Sequence, residues 1–298
     1  MNKAIRTVAS ASSPLLSWGL ERANGRRGGV ILAYHEVPAQ VLRQHLTLLR
    51  ERYRYVSLSE LVGRVAANQS TVGLAAITFD DGYGPVVEDA ARVSHENGWP
   101  MTFYLPTRYL DSRQPYWYQE LRPLLDRSPE RGANLGELDS FFRRLRSEAE
   151  VEAELRRLRQ TLHGSEERPA WLETTPPISW ERVRELARND ALSFEAHTVN
   201  HLALSRLDDD AIAREMEACC CRIEEITGRR VEHFCYPFGG VAEIGDAAPR
   251  IARQRFRSAT TLLRGRCSAG ADVALLPRVP LYDGDSREIV ALKVATAR

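Results

Sequence analysis

Three short stretches of the chain carry side chains whose types and spacing could do chemistry. The first, Thr78-Phe79-Asp80-Asp81-Gly82-Tyr83, sets two carboxylates side by side. The second, His197-Thr198-Val199-Asn200-His201, holds two imidazoles four residues apart. The third, Tyr236-Pro237-Phe238-Gly239, reads as a tight turn. One carboxylate and two imidazoles make a mixed oxygen and nitrogen site for a divalent metal ion with open positions. Adjacent residues on an extended segment point in different directions, so only one of Asp80 and Asp81 readily reaches such an ion. The other is left beside the water that the ion would acidify, where it can serve as a base. This is apparatus for hydrolysing an amide or an ester. Each motif alone has an ordinary explanation, since Asp-Asp-Gly starts turns and helices and a histidine pair can simply be packed. Their joint placement at the ends of predicted strands is what favours the chemical reading.

The elements that must position these residues follow from hydrophobic patterning. Short apolar runs at Val30 to Tyr34, Ala75 to Phe79, Met101 to Leu105, Ser193 to Ala196, Val231 to Tyr236, Arg257 to Thr261 and Leu275 to Leu281 read as strands. Amphipathic stretches lie between most of them, for example Val86 to Asn97, closed by Gly98. Strand-then-helix repetition implies parallel strands with helices outside, and six or seven such units favour a barrel. The expected fold is therefore α/β: a distorted parallel (β/α) barrel of about seven strands. The repeat breaks between about residues 110 and 177, where the chain is charge-rich and punctuated by proline. There Phe141, Phe142, Leu145, Val151, Leu155, Leu158 and Leu162 recur at three- and four-residue steps, which predicts one long helix with an apolar face. This stretch reads as a helical insertion packed on a barrel that spans 28–298. Residues 1–27 read as an N-terminal arm, apolar at Leu15, Leu16, Trp18 and Leu20, which could lie on a membrane surface.

Composition removes several classes. The 298 residues carry 41 Lys plus Arg against 40 Asp plus Glu, a net charge of +1, so no basic excess points to nucleic acid as a partner. The apolar runs fall well short of the roughly 18–20 residues that a membrane span needs. The five cysteines include three in a row, Cys219, Cys220 and Cys221, inside a helical pattern, and no Cys-x-x-Cys pair exists. They read as buried small hydrophobes in a reducing compartment. No secretion signal is evident, so the expected location is cytoplasmic, at the inner face of a membrane where the substrate is lipid-linked.

Taken in order, Thr-Phe-Asp-Asp-Gly-Tyr, His-Thr-Val-Asn-His and Tyr-Pro-Phe-Gly resemble the NodB-type polysaccharide deacetylases, carbohydrate esterase family 4. The resemblance covers roughly residues 28–285. It implies a metal-dependent hydrolase that removes acetyl groups, chiefly N-acetyl, from a sugar or polysaccharide in glycan or exopolysaccharide biosynthesis. It also implies Asp80 as the catalytic base, with Asp81, His197 and His201 as the metal ligands. The metal implied is zinc, with cobalt, nickel or manganese as alternatives. A backbone N–H near Phe238 would contribute to the oxyanion site. Two departures stand out. The third motif often begins with Arg, where this chain has Cys235, and Arg278 near the last strand is the expected supplier of a guanidinium. The late Leu-x-His that supplies the general acid is missing, since no histidine follows His233. His35, in Tyr34-His35 after the first strand, is the expected substitute, and such an early Tyr-His resembles the exopolysaccharide-deacetylase branch of the family.

The remaining histidines, His45, His95, His163 and His233, read as structural. Tyr83 and the run Tyr116, Trp117 and Tyr118 are candidates for stacking on a sugar face, the run serving equally well as an anchor that holds the insertion to the barrel. The competing reading, motivated by the two departures, is a non-catalytic carbohydrate-binding protein on a degenerate barrel. A non-haem iron oxygenase shares the two-histidine, one-carboxylate count but belongs in a different β architecture.

Overall fold

The computed structural model describes residues 28–126, 135–170 and 172–297. Eight parallel-paired strands run in chain order as β1 (Val30–Tyr34), β2 (Arg54–Tyr55), β3 (Leu74–Phe79), β4 (Met101–Leu105), β5 (Leu192–Ala196), β6 (His233–Cys235), β7 (Ser258–Arg264) and β8 (Leu276–Pro280). Their lateral order is β1-β8-β7-β6-β5-β4-β3-β2, and β1 also pairs with β3 from Val30↔Ala75 to Tyr34↔Phe79. That second pairing closes seven strands into a barrel and leaves β2 as a short flap outside the ring. Every residue of β1, β3 and β4 is buried, as expected of parallel strands covered on both faces.

Alternation along the strands separates two faces. Tyr34, Phe79, Phe103 and Phe194 occupy the same register on four neighbouring strands and stack in series with ring centroids 5.1–5.5 Å apart. They form a belt on the outer face. The helices packed over the barrel include α1 (Ala39–Leu49), α2 (Leu58–Ala66) and α3 (Gly84–Asn97). The inner face carries the opposite set: Thr78, Tyr104, Glu195, Cys235, Thr260 and Arg278, all buried. The polar residues that follow each strand by one step, such as His35, Asp80 and His197, extend this inner set to the C-terminal rim of the barrel.

Between β4 and β5 come α4 (Thr107–Ser112), α5 (Trp117–Asp126), α6 (Leu135–Phe142), α7 (Glu148–His163) and α8 (Trp180–Leu186). The predicted single long helix is in fact two, α6 and α7. Ser147 caps the second by accepting the Glu150 N–H, and the Glu150 carboxylate accepts the Arg146 N–H, so the chain is stopped and restarted there. The insertion has its own apolar cluster, with Trp117, Leu124, Phe142, Leu155 and Leu158 among its members. Leu202, from the loop after β5, joins that cluster, and Phe238 packs on it, which ties the insertion to the rim. Within it the Arg159 guanidinium reaches the buried Glu120 carboxylate at 2.7 Å.

The rest of the ring is completed by α9 (Asp209–Thr227) after β5, α10 (Val241–Ile244) and α11 (Ala247–Arg255) after β6, and α12 (Arg287–Ala295) after β8. All five cysteines are free thiols; four are buried as expected, whereas Cys221 faces solvent on α9. Among the described residues no helix is long and apolar enough to cross a membrane. The N-terminal arm, and the membrane contact expected of it, lie outside the described residues.

Candidate active site

The two adjacent carboxylates are separated by a turn of the backbone. Asp80 still belongs to the β3 ladder, since its N–H donates to the Tyr34 carbonyl at 2.9 Å, so its side chain points into the barrel. Asp81 then adopts φ +67° and Gly82 φ +66°, which swings the second carboxylate to a different neighbourhood. The left-handed backbone at Gly82 favours glycine, and a Cβ there would also press on Leu105 Cδ2 at 2.6 Å.

Asp80 faces Arg278. The guanidinium grips it in a fork, Nη1 to Oδ1 and Nη2 to Oδ2, both at 2.7 Å. The other Arg278 donors reach the Thr261 carbonyl at 2.8 Å, Thr78 Oγ1 at 3.1 Å and Cys235 Sγ at 3.0 Å. All five N–H groups of a guanidinium therefore have acceptors. Burial would raise the Asp80 pKa, but the Arg278 charge and hydrogen bonds, together with the nearby His35 and His197, outweigh it and hold the carboxyl below its ordinary value. His35, one residue past β1, places Nε2 3.4 Å from Asp80 Oδ2 and is a third exposed (33%), whereas Asp80 is buried.

Asp81 faces the two histidines. Its Oδ1 lies 3.6 Å from His197 Nε2 and 3.4 Å from His201 Nε2. The pair sits on a loop, not on a helix. Thr198 (φ +65°) and His201 (φ +53°) both adopt left-handed backbone, and the Thr198 hydroxyl accepts the His201 N–H at 3.0 Å. Glu215 on α9 clamps the loop by accepting the Val199 and Asn200 N–H groups, each at 2.9 Å. His197 Nδ1 contacts the Cys235 carbonyl at 2.7 Å, which turns Nε2 towards Asp81. Burial holds the His201 ring neutral, lowering its pKa to about 3. Burial also disfavours charge on His197, but Cys235 and the two carboxylates outweigh it and raise the pKa.

The donor set fits a divalent metal ion. Asp81 Oδ1, His197 Nε2 and His201 Nε2 lie close enough together to ligate one ion. Asp81 Oδ1 has no hydrogen-bond partner although it is buried, and an unpaired buried carboxylate oxygen is costly without a cation. Asp80, His197 and Cys235 form a second such trio. There, both Asp80 oxygens and the Cys235 sulfur are already engaged by Arg278, whose positive charge disfavours a neighbouring cation.

The turn after β6 completes the rim. Phe238 has φ +62° and rests its ring 4.8 Å from the His201 ring. Its N–H donates to no acceptor among the described residues. Gly239 (φ +63°) passes so close to β7 that a Cβ would lie 2.4 Å from the Leu262 nitrogen. Asp81, Thr198, His201 and Phe238 are four of the six non-glycine residues with positive φ among those described. Backbone strain is thus concentrated at this rim.

The aromatic candidates come out differently from expectation. Tyr116 is fully buried and its hydroxyl donates to the Asp81 carbonyl, and Trp117 is buried with its ring stacked 5.0 Å from Phe142. Neither ring has a face open to a sugar; they anchor the insertion and brace the Asp81 turn. Tyr83 is also buried, edge-on to Tyr116 at 5.4 Å. Glu215 was not singled out by sequence. Asp208, which caps α9 by accepting the Ala211 N–H, fixes the register that brings Glu215 to the loop, but no local pattern marks Glu215 itself.

A parallel barrel of seven strands carrying carboxylates and imidazoles on its C-terminal rim defines a class of hydrolase, and the sequence agrees. Residues 67–254 match the family model for polysaccharide deacetylase, and the chain belongs to that family. It is accordingly a carbohydrate deacetylase. Solved structures share the fold. The Streptococcus pyogenes deacetylase PplD, in complex with acetate, aligns over 89% of this chain and 97% of its own at 16% identity and a TM-score of 0.61. IcaB from Ammonifex degensii aligns over 91% and 98% at 18% identity and a TM-score of 0.59. A de-N-acetylase from Aggregatibacter actinomycetemcomitans aligns over 89% and 99% at 14% identity and a TM-score of 0.60. No curated protein matches the chain.

Proposed function

We propose that this protein removes N-acetyl groups from an amino sugar within a glycan, using one divalent ion, zinc, held by Asp81, His197 and His201. The observation that carries this reading is the division between two adjacent carboxylates, one locked to a guanidinium and one facing two imidazoles with an oxygen unpaired. The description of the Aggregatibacter protein as a de-N-acetylase supports N-acetyl over O-acetyl. When bound, the ion supplies Lewis acidity, which makes a nearby water more acidic and polarises a carbonyl.

The chain's own residues do the rest. Asp80, kept ionised and fixed in orientation by Arg278, accepts a proton from the water as its oxygen attacks the acetyl carbon. A carboxylate retains lone pairs beyond the two the Arg278 fork occupies, so base and fork are compatible. The Phe238 N–H is free to donate to the oxygen on which charge develops. The C–N bond then breaks, and the amine nitrogen must take a proton as it leaves. His35, a third exposed and with Nε2 3.4 Å from Asp80, supplies that proton and can be recharged from Asp80.

The test is hydrolysis of N-acetylglucosamine oligomers by protein stripped with a chelator and then reloaded. Activity should vanish on stripping and return with zinc at one equivalent. Stoichiometric zinc with no turnover on any acetylated glycan would instead favour a carbohydrate-binding role.

A further inference from the structure

The insertion carries a side chain into the site that the reading above does not use. Tyr118, near the start of α5, packs against both the barrel core and the insertion core. Its ring stacks 5.2 Å from Tyr116, meets Trp117 edge-on at 5.3 Å, and lies 5.6 Å from the His201 ring. Its hydroxyl oxygen is buried and has no hydrogen-bond partner. Leaving a buried hydroxyl unpaired is destabilising. A phenylalanine would make the same ring contacts without that cost, so the oxygen is surplus to packing.

Its surroundings say what it can do. The neighbouring polar groups are the Asp81 carboxylate and the Tyr83 hydroxyl. A phenol O–H with no hydrogen-bond partner is a donor available to an incoming oxygen. The Phe238 ring, 4.8 Å from His201, and the Tyr118 ring lie against the same imidazole. The N–H of the one and the O–H of the other are thus unused donors beside the His201 ring.

We propose that the Tyr118 hydroxyl is a substrate-binding donor, delivered by the insertion, that hydrogen-bonds the acyl oxygen of the bound acetyl group. On this account the 110–177 stretch completes the active site as well as decorating the barrel. The inference rests on the deacetylase reading.

The test is Tyr118→Phe, with wild type alongside. Three readouts are needed: turnover of N-acetylglucosamine oligomers, equilibrium affinity of the zinc-loaded protein for acetate, and thermal stability of the zinc-free protein. Removing one donor to a developing oxyanion costs on the order of 10²-fold in kcat. The proposal predicts a kcat loss of about that size, weaker acetate binding, unchanged zinc stoichiometry, and a melting temperature equal to or above wild type. A kcat and acetate affinity within twofold of wild type would overturn it. So would a lowered melting temperature with kcat preserved, because Tyr118 would then be paired to Tyr83 and structural. If wild type itself hydrolyses no acetylated glycan, the deacetylase reading fails first.

Discussion

The two ends of the barrel interior both bury ionisable groups, and they treat them in opposite ways. At the N-terminal end, Glu195 on β5 accepts the Glu232 and His233 N–H groups at 2.9 and 2.8 Å, and Ser193 contacts its other oxygen. His233 holds Ser258 through Nδ1 and Ser59 through Nε2, each at 2.8 Å. Both carboxylate oxygens and both ring nitrogens are engaged there, and only the Tyr104 hydroxyl, opposite Glu195 in register, is buried among the described residues of that layer without a partner. At the C-terminal rim, Asp81 Oδ1, His201 Nδ1 and the Tyr118 hydroxyl are buried without partners, and four side-chain-bearing residues sit in left-handed backbone. Satisfied polar groups hold a fold together, and unsatisfied ones persist where something absent from the chain completes them. The lower network has a structural task. β5 and β6 share only the Ala196↔Phe234 register pair, and the Glu195 carboxylate takes over the ladder below it.

If that contrast is right, substitutions at the rim should cost turnover, and substitutions at the other end should cost or add stability. The larger effect is at His35. Amide cleavage expels an amine that must be protonated, whereas an activated acetyl ester leaves without help. His35→Ala should therefore lose about 10²–10⁴-fold on N-acetylglucosamine oligomers, and far less on an activated acetyl ester. Equal losses on both substrates would mean that His35 shapes the site without acting as the acid.

The smaller effect is at Glu195. Burial outweighs its hydrogen bonds and raises its pKa to about 7. A raised carboxyl binds its proton more tightly folded than unfolded, so its contribution is fully present below the unfolded value and is lost as pH climbs to about 7. That loss amounts to about 3 kcal/mol. Glu195→Gln keeps both N–H acceptor contacts and has no proton to lose. It should melt higher than wild type at pH 8, differ little at pH 4, and keep its deacetylase rate. His233, whose pKa burial lowers to about 4, imposes the opposite slope below pH 6.5, but it does so in both proteins and drops out of the comparison. A rate loss in Glu195→Gln without a stability change would break the division between the two ends.

The same contrast marks what the sequence could reveal. The rim motifs were legible because each is contiguous: two carboxylates in two residues, two imidazoles in five, a turn in four. The strands were legible because buried parallel strands are unbroken apolar runs. Arg278 was reached only through what Cys235 could not do, and it lies 198 residues from Asp80. Glu195 and Glu215 carry no local pattern, since their partners arrive from other elements. The flap at Arg54–Tyr55 is too short to show a period, and it went unseen. The break between α6 and α7 was visible as Ser147 followed by Glu150, a helix-start signature that the apolar spacing across it obscured. Tyr116 and Trp117 stood open in the sequence because aromatic residues at a rim suit a sugar platform and an anchor equally well, and only burial separates the two.

The central claim is that the neighbours Asp80 and Asp81 have different jobs. Zinc stoichiometry, measured by equilibrium dialysis on Asp80→Asn and Asp81→Ala, tests it most directly. Asp80→Asn should retain one zinc per chain while turnover falls by several orders of magnitude, because its carboxylate belongs to Arg278. Asp81→Ala should lose the ion. An Asp80→Asn protein without zinc beside an Asp81→Ala protein that keeps it would contradict the account.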